Sequence, residues 1–251
     1  MKRQLILWFI ETTFYKFLIK KIIPFIRFSF YYTKFRGNLY HEGYQHLQAG
    51  RMIGTIDYSK LTGILIPKVS GGILSHVAFC IHKRTPDDFQ LSMQGQPVIG
   101  GMGLEIVEMT HTDYTFSDFF DLCKESERVI IFDCDDWDQD YKKRLVNAAL
   151  SLRNATYDVE FQFGLSSLYC SELIYMSDCI ANNAEYFGEL AVPKPRIQAS
   201  VEDLMGLGRE YISPDGLLTA KNVRVIWDSK GELTGLSGDQ VSDIVFKGKL
   251  K

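Results

Sequence analysis

Three residues in this chain are of types that, brought together, would do nucleophilic chemistry: a cysteine opening a helix, a histidine on a strand and a glutamate on a later strand. In SLYCSELIYM, Cys170 follows an aromatic residue and begins a stretch with amphipathic spacing. A thiol is only a few per cent ionised at neutral pH. A reactive one needs the partial positive charge of a helix N-terminus, an imidazole to take its proton, or both. The alternative is a small buried apolar thiol, the commonest fate of free cysteine. In LSHVAFCIH the side chains alternate, so Val77, Phe79 and Ile81 form the natural core face and His76, Ala78, Cys80 and His82 the other. His82 would then flank whatever His76 serves. An imidazole needs an acceptor to fix its tautomer, and Glu108 in LEIVEMT has that potential, with Glu105 as its competitor. Spacing alone does not unite residues this far apart.

The elements that would have to position them read as follows. RVIIFDC is a strand, REYISPDGLLTAKNVRVIWDSKGE is a loop and then a strand with a turn after it, and QPVIGGMGLEIVEMTH is a strand, a glycine turn and a second strand. DDWDQDYKKRLVNAALSLRN is an amphipathic helix with Trp137, Tyr141, Leu145 and Leu152 at helical spacing. Its acidic start imitates a calcium loop, but Asp138 stands where the sharp-turn glycine belongs and Arg144 where the bidentate glutamate belongs. The cysteine helix runs over about residues 170–182. Strands clustered mid-chain between helices predict an α+β fold, a central antiparallel sheet flanked by helices, over an alternating parallel one.

At 251 residues, 46% hydrophobic and 24% charged, the chain suits one folded domain with appendages. A net charge of -3 gives no whole-protein basic field for nucleic acid. Five scattered cysteines (80, 123, 134, 170 and 179) without a CxxC pair predict neither a disulfide framework nor a zinc site, and favour a reducing compartment. No metal or cofactor is expected. Residues 1–36 stand apart from the domain at 37–251: they carry eight basic residues against Glu11, a net +7, leaving -10 for the remainder. Eleven aromatic residues accompany them, Trp8 among them. Such a segment suits a membrane surface, a partner protein or the body of its own chain, with Pro24 breaking any helix. It holds no uncharged apolar run long enough to span a bilayer, and no signal-peptide pattern.

LSHVAFCI, LEIVEMT and YDVEFQFGLSSLYCSELIYM resemble the landmark segments of the circularly permuted branch of the NlpC papain-like superfamily, the YiiX-like proteins. In that branch a strand histidine comes first, a strand glutamate second and a helix-opening cysteine last, the order seen here. The resemblance spans about residues 45–225, including LQAGRMI and YISPDGLL, and leaves residues 1–36 aside. Arg51 stands where relatives often have Asp, and Met109 where a small residue is usual. What the resemblance implies is a permuted papain-like fold with the nucleophile at a helix N-terminus. Cys170 would be the nucleophile, His76 the general base and then acid, and Glu108 the orienter. The oxyanion would be held by the Cys170 N–H with Tyr169 or another nearby donor, Tyr169 and Ser75 being the implied oxyanion and substrate-binding residues. The implied activity is amide or peptide hydrolysis through an acyl-thioester, on a peptide or an acylated small molecule. Acyl transfer or lipid thioester cleavage at a membrane, and a binding module without turnover, are the alternatives.

Overall fold

The computed structural model describes residues 17–18, 21–26, 37–84, 105–158, 166–182 and 212–246. The first strand expected in QPVIGGMG and most of the YDVEFQFG lead-in fall outside these residues.

Within them, six strands form one sheet in the order β4-β3-β2-β1-β5-β8. They are β1 Met52–Ile56, β2 His76–Cys80, β3 Ile106–Thr110, β4 Asp113–Ser117, β5 Arg128–Cys134 and β8 Val223–Asp228. Every neighbouring pair is antiparallel. A short parallel pair, β6 Thr156–Tyr157 and β7 Ser167–Leu168, lies apart. The helices are α1 Gly37–His46, α2 Leu61–Ser70, α3 Phe119–Lys124, α4 Gln139–Ser151, α5 Cys170–Ala181, α6 Pro214–Leu218 and α7 Gly238–Phe246. The expectation of an α+β fold with a central antiparallel sheet between helices agrees with this arrangement.

Both faces of the sheet are covered. On one, Val77, Phe79, Val107, Ile130 and Phe132 join α4, α5 and α7 in the larger core. On the other, Ile53, Ala78, Cys80, Ile106 and Ile131 pack under Leu47, Phe119 and Trp227. The alternation in SHVAFCIH therefore separates two cores, not core from solvent, and the central strands read as continuous buried runs. His82 lies beyond the far end of β2 from His76, roughly 20 Å away at strand spacing, so it does not flank that residue.

Local chemistry explains the main boundaries. The Asp138 carboxylate caps α4 by accepting from the Tyr141 N–H at 2.7 Å. Helix α5 ends at Ala181 with Asn182 as its C-cap, close to the expected limit. Arg51, unusual by the resemblance, serves the structure by donating to Asp133 at 3.1 Å, and Lys142 meets the same carboxylate at 2.6 Å. Met109 is buried in the larger core. Helix α6 occupies a stretch whose sequence suggests a loop, and is started by Ser213, whose hydroxyl accepts from the Gly216 N–H.

The described part of the N-terminal arm rests on the body. A single 3₁₀ turn, Ile23–Phe25, contains Pro24 in its first positions, where the missing N–H costs nothing. The Leu61 N–H donates to the Ile26 carbonyl at 3.1 Å, and the Phe25 ring meets His111 edge-on at 5.4 Å.

Candidate active site

Strand β2 begins at His76, held in register by its pairing with Thr55 of β1. Two strands form a hairpin beside it: β3 carries Glu108, and β4 pairs Thr115 with it. His76 Nε2 lies 2.7 Å from Glu108 Oε2, and the Ser117 hydroxyl donates to Glu108 Oε1 at 2.6 Å. With Nε2 engaged by the carboxylate, Nδ1 is the nitrogen left for the Cys170 thiol, which is hydrogen-bonded to the imidazole. The structure thus brings together the three residues singled out in the sequence. Glu105, the competing carboxylate, is committed elsewhere: it accepts from the Tyr44 hydroxyl at 2.5 Å and from the Arg84 N–H at 3.3 Å.

Cys170 is the first residue of α5, after Tyr169 as N-cap. The Glu172 carboxylate reaches back to the Tyr169 N–H at 3.4 Å, satisfying one of the unpaired donors at the helix start. Burial would raise the Cys170 thiol, yet the hydrogen bond and charge of His76, with the backbone N–H groups of Val77 and Ser171, bring it below the ordinary thiol value. Burial would lower His76, and its bonds to Cys170 and Glu108 outweigh that and raise it. Burial likewise opposes ionisation of Glu108, while His76 and Ser117 lower it. The resulting electrostatics favour a thiolate–imidazolium pair with a carboxylate behind it. By contrast, burial pushes Cys123 and Cys134 up to about 12, and Cys80 also upward.

The two side chains expected beside the site are occupied by structural bonds. The Ser75 hydroxyl donates to the Thr55 carbonyl at 3.0 Å and accepts from the Asp57 N–H at 2.9 Å. The Tyr169 hydroxyl accepts from the Ile212 N–H at 2.8 Å. The donors that face the sulfur are the main-chain N–H groups of Val77 and Ser171.

Sequence reasoning missed a brace. Ser171 donates to the Ile212 carbonyl at 2.6 Å, so residue 212 is pinned from both sides of Cys170. Three residues on, the fully buried Asp215 accepts from the Ile73 and Leu74 N–H groups at 2.7 and 3.1 Å, and from the Ser70 hydroxyl at 3.3 Å. Segment 212–215 therefore ties the start of the cysteine helix to the turn that delivers His76. Gly72 lies so close that a Cβ there would meet the Asp215 carboxylate carbon at 2.0 Å. Ser117 was also missed, although a tight LEIVEMTHTDYTFS hairpin sets it diagonally across from Glu108.

His76 and Glu108 open onto a cleft of about 620 Å³ whose wall includes Phe25, Ile66, Thr110 and His111. His111 is thus a cleft residue. Cys170 does not line this cleft and retains 6% exposure.

An antiparallel sheet between helix layers, with a cysteine-led helix packed near a strand histidine, defines an α+β domain. A solved structure shares the architecture: the crystal structure of the metalloprotein YiiX from Escherichia coli O157:H7 matches with a TM-score of 0.50 and 15% identity, over 72% of this chain and 96% of that one. At that identity the likeness shows a common fold. No protein-family model and no curated protein matches the chain. Among the described residues no group of three or more His, Cys, Asp and Glu side chains is arranged to hold a metal ion.

Proposed function

We propose that the chain is a cysteine hydrolase of the amidase or peptidase kind, with the permuted papain-like organisation that its sequence segments resemble. The observation that carries this reading is the thiol–imidazole–carboxylate series of Cys170, His76 and Glu108, with the thiol lowered and the imidazole raised against burial. The Cys170 thiolate would attack the carbonyl carbon of an amide, and the oxyanion would be met by the Cys170 N–H at the helix start. His76 then gives its proton to the leaving nitrogen as the C–N bond breaks, leaving an acyl-thioester. Water, deprotonated by His76, attacks that thioester, releases the carboxylic acid and returns the thiol. Glu108 orients the imidazole and balances its charge throughout.

The test is the rate of iodoacetamide alkylation at Cys170 against pH, read by peptide mass spectrometry. In the native chain labelling should be fast well below pH ~8.5, the free-thiol value, and His76→Ala should move the profile upward. An ordinary thiol profile in both proteins would remove Cys170 from the chemistry. A second reading, acyl transfer from a lipid donor, is favoured by Phe25, Ile66 and Met109 in the cleft wall. It predicts acyl product on an added amine in place of free acid.

A further inference from the structure

We propose that the described part of the N-terminal arm and the outer face of α2 together form a seat for an anionic lipid surface. The described part of the arm meets the body through the Ile26–Leu61 and Phe25–His111 contacts. Held there, Phe17, Ile22, Phe25 and Ile26 are between 37% and 66% exposed, and Leu65 of α2 adds a further exposed apolar side chain. Leu61, Leu65 and Lys68 recur one turn apart on α2, so they share a stripe. Lys21 and Lys68 are both exposed beside these apolar groups. Apolar side chains on a firm support, bordered by lysines, are what binding at a headgroup layer requires.

Charge selects the partner. Residues 1–36 sum to +7 and the rest of the chain to -10, so positive charge is concentrated in the N-terminal segment of the sequence. An anionic surface attracts a basic segment of this kind, and basic residues near such a surface, as Lys21 and Lys68 would be, each add favourable energy. The aromatic richness of the arm's sequence suits the same interfacial layer. No described helix is long and apolar enough to cross a membrane, so the seat is one of surface contact. Phe25 belongs both to this face and to the cleft wall beside His76. If the hydrolase reading holds, a substrate carried on the bilayer would meet the cleft at its edge.

The experiment is vesicle flotation of the full chain with phosphatidylglycerol–phosphatidylcholine vesicles and with phosphatidylcholine alone, at low and high salt. Two double variants accompany it, Ile22→Asp with Leu65→Asp and Lys21→Glu with Lys68→Glu, their folding checked by thermal melting. The native chain should float with the anionic vesicles and be released by salt, and each double variant should bind roughly tenfold more weakly or worse. Absence of flotation, or variants that float like the native chain, would overturn the proposal. So would gel filtration showing a dimer that Ile22→Asp with Leu65→Asp dissolves, since the face would then join two copies. Cys170→Ala should float like the native chain, so lipid binding and hydrolysis stand or fall separately.

Discussion

A cysteine buried as thoroughly as Cys170 would ordinarily hold its proton, as Cys80, Cys123 and Cys134 do in the same molecule. What distinguishes it is a charged neighbour and two main-chain donors, and each can be probed. Glu108→Gln keeps the shape but removes the charge behind His76. Its ring proton resonances should therefore titrate at lower pH by NMR, narrowing the range over which thiolate and imidazolium coexist from its basic side. Ser117→Ala removes one 2.6 Å hydrogen bond that helps hold Glu108 down, so the Glu108 carboxyl should titrate at higher pH by NMR. Cys170, His76 and Glu108 were legible because their segments resemble a known order of residues. The Val77 and Ser171 N–H groups were not, since main-chain donors carry no mark in a sequence. The bonds that occupy the Ser75 and Tyr169 hydroxyls were illegible for a related reason: a hydroxyl's type says nothing of the partner it has already taken.

At the level of elements, the brace from Ile212 to Asp215 fixes how α5 meets β2. Asp215→Ala would leave the buried Ile73 and Leu74 N–H groups without their acceptor, at a cost of about 2 kcal/mol in urea denaturation. Gly72→Ala should disturb the same turn and slow alkylation of Cys170 by displacing His76. Burial pushes the Asp215 carboxyl up to about 6, against the pull of its Ile73, Leu74 and Ser70 donors. Its folded value lies above its unfolded one, about 3.9, so its contribution is fully present below the latter and lost as pH rises through about 6. Asp215→Asn should abolish that component, seen as the difference between the two proteins' denaturation midpoints across this range. Strands β2, β3, β5 and β8 and the amphipathic helices α4 and α5 were readable from periodicity. Helices α1, α2, α3, α6 and α7 were not read from it: GNLYHEGYQH has two glycines and mixed polarity, α2 holds an internal proline, and α3 and α6 are only six and five residues long. Packing, more than propensity, forms helices of this kind.

Across the whole molecule, the sheet order could not be read from the strands themselves. β1 lies between β2 and β5 because covering helices decide which strands become central, and that information is spread over the chain. One joint at the sheet's end is open to test. Arg128 of β5 grips Asp228 of β8 through two bonds of 2.8 and 2.7 Å, both side chains buried. Asp228→Ala would strand the guanidinium, with the partly exposed Glu232 as its remaining carboxylate, and should cost about 3 kcal/mol in urea denaturation. Burial alone would raise Asp228, and Arg128 with the Leu233 N–H brings it below its usual value. Its contribution is therefore present above about pH 4, the unfolded value, and declines as pH falls through the lower folded one. The position of the brace has a consequence for timing. Cys170, His76 and Glu108 all precede Ile212, so a chain emerging from the ribosome carries its thiol before the segment that steadies it. On the hydrolase reading full reactivity would arrive late in synthesis, and a chain stopped before residue 212 should alkylate like any ordinary cysteine.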